Sequence, residues 1–214
     1  MKKNISFLFF ASVMLVSVSC FAVLRYIENH DLPLPYYSNA TFASEVANVQ
    51  KKDVAAIPPF SFTDQDGKIV NNSLVDHKVW VADFFFSRCG SVCPKMNQHL
   101  QQVQKVFSGN NNFKIVSFTC DPKNDTPRTL NRYAERYTSD HVQWLFVTGN
   151  KERLYHFARK GLGIVATEGD GGVNDFIHSQ NLVLIDKQGY IRGYYDGLEN
   201  NSVNQLILDI KKIL

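Results

Sequence analysis

Cys89 and Cys93 stand four residues apart in the stretch FFFSRCGSVCPKM, residues 84–96, after an apolar run and directly ahead of Pro94. Two sulfurs at this spacing can exchange with disulfides, bind a soft metal, or sit as small buried hydrophobes. Residues i and i+4 share a helical face. If Cys93 opens a helix and Cys89 ends the loop before it, both sulfurs reach one point. The positive end of the helix then favours thiolate.

Three details separate exchange from metal binding. A thioredoxin-type redox motif has two residues between its cysteines, and here Gly90, Ser91 and Val92 make three. Such enzymes set a cis-proline against the cysteines, just before the strand that precedes the closing hairpin. The corresponding stretch, FIHSQNLVLID, has no proline and presents His178. Zinc asks for four ligands, or three and a water. Two thiolates and one imidazole without a fourth protein ligand suit copper, because soft sulfur holds Cu(I) and nitrogen helps accommodate Cu(II). The other histidines fit less well. His99 lies six residues beyond Cys93 on the same expected helix and points roughly to the opposite side. His77, His141 and His156 fall near element ends or on helix exteriors and read as solvated. Met96, one turn after Cys93, reads as core packing despite its soft sulfur.

The flanking elements would place the two cysteines at a strand–helix junction. KVWVADFFFS is a continuous apolar run of the kind that forms a buried central strand. After Pro94, the residues Met96, Leu100, Val103 and Phe107 fall on one helical face. FKIVSFT is a second buried strand, and Thr126 with Pro127 marks a helix start. VQWLFVTG reads as a strand and KERLYHFARKG as a helix ended by Gly161. NLVLIDKQGYIRGYYDG is an antiparallel pair turned at Gln188-Gly189, followed by an amphipathic helix in VNQLILDIKKIL. Near residue 58, FSFTDQDGKIV predicts a tight hairpin with Asp66 and Gly67 both at positive φ. Strands alternating with helices, then a hairpin and a last helix, predict an α/β layered domain.

Composition agrees with one folded domain. The chain has 214 residues, 44% of them hydrophobic, and a formal net charge of +3. That charge is too mild to argue for nucleic acid, and no basic cluster is larger than a pair such as Lys2-Lys3 or Lys51-Lys52. Behind Lys2-Lys3 an uncharged, mostly apolar stretch runs from Ile5 to Leu24, long enough to span a bilayer as a helix. Its lysines favour a cytoplasmic N-terminus with the main domain exported. Two other readings remain: a cleaved signal, though no A-x-A-like site follows, and a lipoprotein modified at Cys20, though Ser17 stands where leucine is usual. Expected boundaries are an anchor or signal at 1–24, a tether at 25–57 and the domain at 58–214. Without Cys20 the cysteines are Cys89, Cys93 and Cys120, an odd count that argues against a disulfide scaffold.

FFFSRCGSVCPKM, FTCDPKNDTPRTLNRYAERY and HSQNLVLIDKQGYIRGYYDG, in this order, resemble the three landmarks of the Sco/SenC copper chaperones. The resemblance covers about residues 58–214. It implies a thioredoxin-like fold, a central mixed sheet flanked by helices and preceded by one N-terminal membrane anchor. It implies copper, Cu(I) or Cu(II), as cargo, with Cys89, Cys93 and His178 as ligands. The partner it implies is cytochrome c oxidase subunit II, or another copper-accepting membrane protein, reached from the periplasmic face of a bacterial inner membrane. Two features depart from the pattern. Gly90-Ser91 stand where many members have Pro-Asp, and Cys120 stands where an apolar residue is usual. Cys120 reads as a small buried residue, with a third thiol able to attack a Cys89–Cys93 disulfide as the other reading.

The expected function is binding and delivery of copper rather than catalytic turnover. An exported thiol–disulfide oxidoreductase that keeps a partner's cysteines reduced is the alternative, and a dithiol that binds Cu(I) can also exchange. A thiol peroxidase is the weaker third reading. Arg88 precedes Cys89, but the expected proline before the cysteine is missing.

Overall fold

The computed structural model describes residues 12–23, 33–38, 50–164 and 179–214. It contains two compact units, Met1–Pro33 and Leu34–Leu214. In the first, α1 (residues 12–23) exposes its apolar side chains, with Met14, Leu15, Val16, Val18 and Phe21 each more than 60% accessible. Among the described residues no helix is long and apolar enough to cross a membrane. The start of the Ile5–Leu24 stretch, and Leu24 itself, lie outside the described residues.

Among the described residues, the second unit is built on one seven-stranded sheet in the order β2-β1-β5-β4-β3-β6-β7. Its strands are β1 (Ser61–Asp64), β2 (Ile69–Asn71), β3 (Val79–Phe85), β4 (Phe113–Thr119), β5 (Trp144–Thr148), β6 (Asn181–Ile185) and β7 (Ile191–Asp196). β3, β4 and β5 run parallel, while β1 and β6 join this trio antiparallel. The helices are α2 (Asn72–Val75), α3 (Val92–Val106), α4 (Pro127–Ala134), α5 (Lys151–His156) and α6 (Asn200–Ile213). This is the mixed α/β architecture expected from the alternating strand and helix patterns.

β3 and β4 are buried at every position, as continuous apolar runs require when both faces of a sheet are covered. Side chains alternate between two cores. Trp80, Ala82 and Phe84 pack with Val116, Phe118 and the α5 residues Leu154 and Tyr155. Val79, Val81 and Phe85 pack with Cys93, Met96, Leu100 and Val103 of α3, Leu130 of α4, and Leu206 and Ile210 of α6. Each such side chain, fully buried, contributes about 1.5–3 kcal/mol. The α3 stripe of Met96, Leu100 and Val103 thus fixes the helix, and its N-terminus, against β3.

Thr126 caps α4 by accepting from the Thr129 N–H at 3.3 Å, and Pro127 opens the helix. The β6–β7 turn places Gly189 at φ 81°. One local expectation fails. In the β1–β2 connection only Gly67 has positive φ (77°); Asp66 does not. The loop is longer than a two-residue turn, because the Asp64 carboxylate accepts from the N–H of Asp66 at 2.9 Å and of Lys68 at 2.8 Å. The helix over KERLYHFARKG does end at Gly161, but its last turn, Phe157–Gly161, is π-helical, and the positive φ falls two residues on, at Gly163 (58°). A Cβ on Gly161 would lie 2.7 Å from the Phe157 ring, so this glycine also serves close packing.

Residues 34–38 lie along β7. The Tyr37 N–H donates to the Ile191 carbonyl at 3.0 Å, and the Arg192 Nε–H donates to the Pro35 carbonyl at 3.0 Å. The Arg192 guanidinium also lies 4.0 Å from the centre of the Tyr36 ring and 3.0 Å from Asp186.

Candidate metal centre

The chain leaves β3 at Phe85 and closes a turn in which the Cys89 N–H donates to the Phe86 carbonyl at 3.1 Å. α3 begins at Val92, so Cys93 lies in its first turn. The residue preceding the helix, Ser91, makes no side-chain cap. The Cys93 N–H donates instead to the Cys89 sulfur at 3.3 Å. A sulfur thus occupies the place where a serine or aspartate oxygen usually satisfies the unpaired donors of a helix start.

This geometry divides the two thiols. Burial pushes the Cys89 thiol up, but the backbone N–H groups of Cys93, Ser91 and Val92, with the Cys93 side chain, pull harder, and its pKa falls below the ordinary thiol value. Cys93, only 5% exposed, is pushed up to about 12, mainly by burial and partly by its neighbour Cys89. Cys89 is therefore the first thiolate and Cys93 the reserve. Both open on one cavity of about 570 Å³, whose wall also includes Phe86, Val92, Cys120 and Gln180.

His178 lies outside the described residues. The residues that follow it, Ser179, Gln180 and Asn181, line the same cavity as Cys89 and Cys93. Among the described residues, no three His, Cys, Asp or Glu side chains converge into a metal-holding cluster. The described donor set is two soft sulfurs, which suits Cu(I).

The other residues singled out from the sequence, Cys120 apart, fall elsewhere. Met96 is 1% exposed and packs in the core below α3. His99 is buried, with Nδ1 2.7 Å from the Gly197 carbonyl. His77 and His156 are exposed; His141 is half-buried, 3.8 Å from Asp66. Cys120 is 2% exposed, forms part of the wall of the cavity that Cys89 and Cys93 share, packs with the Phe84 and Phe118 core, and donates its S–H to the Phe85 carbonyl at 3.2 Å. Burial raises its pKa, so it is a poor nucleophile as it stands.

Sequence reading missed Asp83. This carboxyl is fully buried in β3, where Oδ1 accepts from Ser117 Oγ at 2.5 Å, and Ser117 in turn accepts from Trp144 Nε1 at 2.9 Å. Oδ2 has no hydrogen-bond partner among the described residues. Burial raises its pKa to about 7 against the opposing Ser117 bond. The one acid inside VWVADFF was the available signal.

A mixed sheet carrying a cysteine pair where a parallel strand passes into its helix defines a thioredoxin-like thiol protein. The family model described as SCO1/SenC matches residues 48–214, and the chain belongs to that family. The SCO1 protein homolog of Bacillus subtilis is 33% identical over 157 residues, 72% of this chain and 81% of its own. The solved structure of a protein called BsSco is 32% identical, covering 74% of this chain and 92% of the other with a TM-score of 0.63. It is described as a member of the Sco family of cytochrome c oxidase assembly proteins and as carrying a disulfide switch. A SCO1/SenC family lipoprotein from Bacillus anthracis is 31% identical, with coverage of 74% and 94% and a TM-score of 0.65. ScoI of Bradyrhizobium japonicum, solved with copper bound, shares the fold at 20% identity, with coverage of 75% and 100% and a TM-score of 0.61.

Proposed function

We propose that this protein carries copper on Cys89, Cys93 and His178 and delivers it to the binuclear copper site of cytochrome c oxidase subunit II. The observation that carries the reading is the Cys89 sulfur at the start of α3, 3.3 Å from the Cys93 amide. That contact provides a ready thiolate with a second thiol within its reach, and two thiolates are sufficient for Cu(I). His178 is assigned by its position next to Ser179, Gln180 and Asn181 on the cavity wall. Copper-bound ScoI and the assembly role of the Sco family support the cargo and the acceptor.

The domain works outside the cytoplasm, held to the membrane by its N-terminal segment. The exposed apolar side chains of α1 suit a lipid environment better than water. Acylation at Cys20 is the second form this attachment takes, and the lipoprotein relative from Bacillus anthracis supports it. Mass spectrometry of the membrane-extracted chain separates the two. An intact N-terminus means an anchor, and a chain beginning at an acylated Cys20 means a lipoprotein.

Delivery is tested by mixing the copper-loaded protein with the reduced, copper-free soluble domain of a subunit II. After the mixture is oxidised by one electron per binuclear site with ferricyanide, growth of the purple absorption is the expected result; an acceptor that stays colourless after oxidation overturns delivery. The thiol reductase reading is favoured by one observation, the unequal protonation of Cys89 and Cys93. Under that reading, metal-free reduced protein reduces an oxidised acceptor, with one Cys89–Cys93 bridge formed for each acceptor disulfide opened.

A further inference from the structure

The loop that carries Cys89 is held from across the sheet. Asp125 sits just ahead of α4 and is fully buried. Its Oδ2 accepts from the Ser87 N–H at 3.1 Å and from Thr119 Oγ1 at 2.5 Å, and its Oδ1 accepts from Ser87 Oγ. Ser87 is the second residue of the turn Phe86–Cys89. The following residue, Arg88, is tied to the same connection through Asp121, at 2.8 Å. The Asp121 N–H donates to Thr119 Oγ1 at 2.9 Å, which closes the network onto the end of β4.

We propose that Asp125 is a positioning residue for Cys89: by gripping both donors of Ser87 it holds the turn so that the Cys89 sulfur stays against the first turn of α3. The inference rests on the reading of Cys89 and Cys93 as the working pair. A buried carboxylate with three donors is a costly arrangement unless every bond is made, and here each is. Arg88 is largely exposed, so its ion pair with Asp121 holds the turn only weakly. Phe86 and Cys89 are tied to Cys93, Phe86 by its backbone N–H on the Cys93 sulfur and Cys89 by its own sulfur on the Cys93 amide, while Ser87 ties the same turn to the connection after β4. Supporting bonds of this kind fix reacting atoms to a fraction of an ångström, and loosening them lowers the effective concentration of one group at the other.

The test reads that effective concentration without copper. Full-length protein in detergent is equilibrated with reduced and oxidised glutathione, and the Cys89–Cys93 bridge is quantified by peptide mapping. The reaction is balanced: two thiols and one oxidised glutathione give one protein disulfide and two reduced glutathiones, with both electrons passing to glutathione. In Asp125→Ala the equilibrium constant for bridge formation is expected to fall about tenfold, the size of a lost hydrogen-bond set to a charged group. Asp125→Asn, which keeps an acceptor for the Ser87 amide, is expected to recover most of that loss. Melting temperature is measured on the same samples. A folded Asp125→Ala protein that melts earlier but changes its constant less than threefold overturns the proposal, because a merely structural residue would do this. Should Asp125→Ala fail to fold, Ser87→Ala decides: a fall of threefold or more supports the proposal and a smaller change overturns it. Wild-type protein that never forms the bridge overturns the cysteine pair itself, a result distinct from any behaviour of the Asp125 variants.

Discussion

The Cys93 amide donates to the Cys89 sulfur at 3.3 Å, so one cysteine of the pair caps the helix that contains the other. This contact makes the two thiols chemically unequal although they are only four residues apart. The half-buried member is primed as thiolate and the buried member keeps its proton until a partner or a metal takes the first sulfur.

That inequality sets an order of reaction. In reduced, metal-free protein at pH 7, iodoacetamide is expected to modify Cys89 at least about tenfold faster than Cys93, since only the thiolate reacts. Cys120, buried and bonded to the Phe85 carbonyl, is expected to stay unmodified until the protein is denatured. Time-resolved peptide mapping reads all three rates. Equal rates for Cys89 and Cys93 would contradict the capping geometry.

The imidazole assigned to the site should matter unequally for the two copper states. Cu(I) tolerates two sulfurs, whereas Cu(II) prefers a tetragonal site with nitrogen. His178→Ala is expected to lose the sulfur-to-copper charge-transfer band of the Cu(II) form while part of the Cu(I) binding survives. An unchanged Cu(II) spectrum would move the role to another residue.

Asp83 makes stability depend on pH in a particular direction. Its folded pKa, about 7, lies above the ordinary carboxylate value near 4. Below about pH 4 the group is neutral in both states. As pH rises toward 7 the unfolded chain releases the proton and the folded chain keeps it, so stability falls across that window by up to about 4 kcal/mol. Asp83→Asn cannot titrate and is expected to lack this decline. Denaturant midpoints at pH 4 and pH 8 test it: the variant should gain on wild type by a few kcal/mol over that range, and parallel curves would rule out the shift.

The framework of the site could be read from local sequence because its causes are local. Apolar runs mark β3 and β4, and Pro94 with the Met96, Leu100 and Val103 stripe marks α3. Cys89 and Cys93 therefore fall at a strand–helix junction in the structure as in the sequence. What the sequence concealed depends on distant partners. His99 and Asn97 lie in a polar stretch, yet both are buried, because the Gly197 carbonyl and the Tyr133 hydroxyl reach them from 98 and 36 residues away. Asp125 looks like an ordinary loop acid until Ser87, 38 residues earlier, is seen to bond it. The two-residue hairpin failed for a similar reason: the Asp64 side chain takes the amides that a shorter turn would have left unpaired.

The central claim, that Cys89 and Cys93 together hold the metal, is tested most directly by anaerobic Cu(I) titration of the reduced protein against a competing Cu(I) chelator. Wild type is expected to take one Cu(I) per chain. Cys89→Ser and Cys93→Ser are each expected to weaken binding at least about a hundredfold, since removing one thiolate from so small a ligand set costs about 2.7 kcal/mol or more. Cys120→Ser is expected to bind as wild type does. Wild-type affinity in either Cys89→Ser or Cys93→Ser would contradict the account.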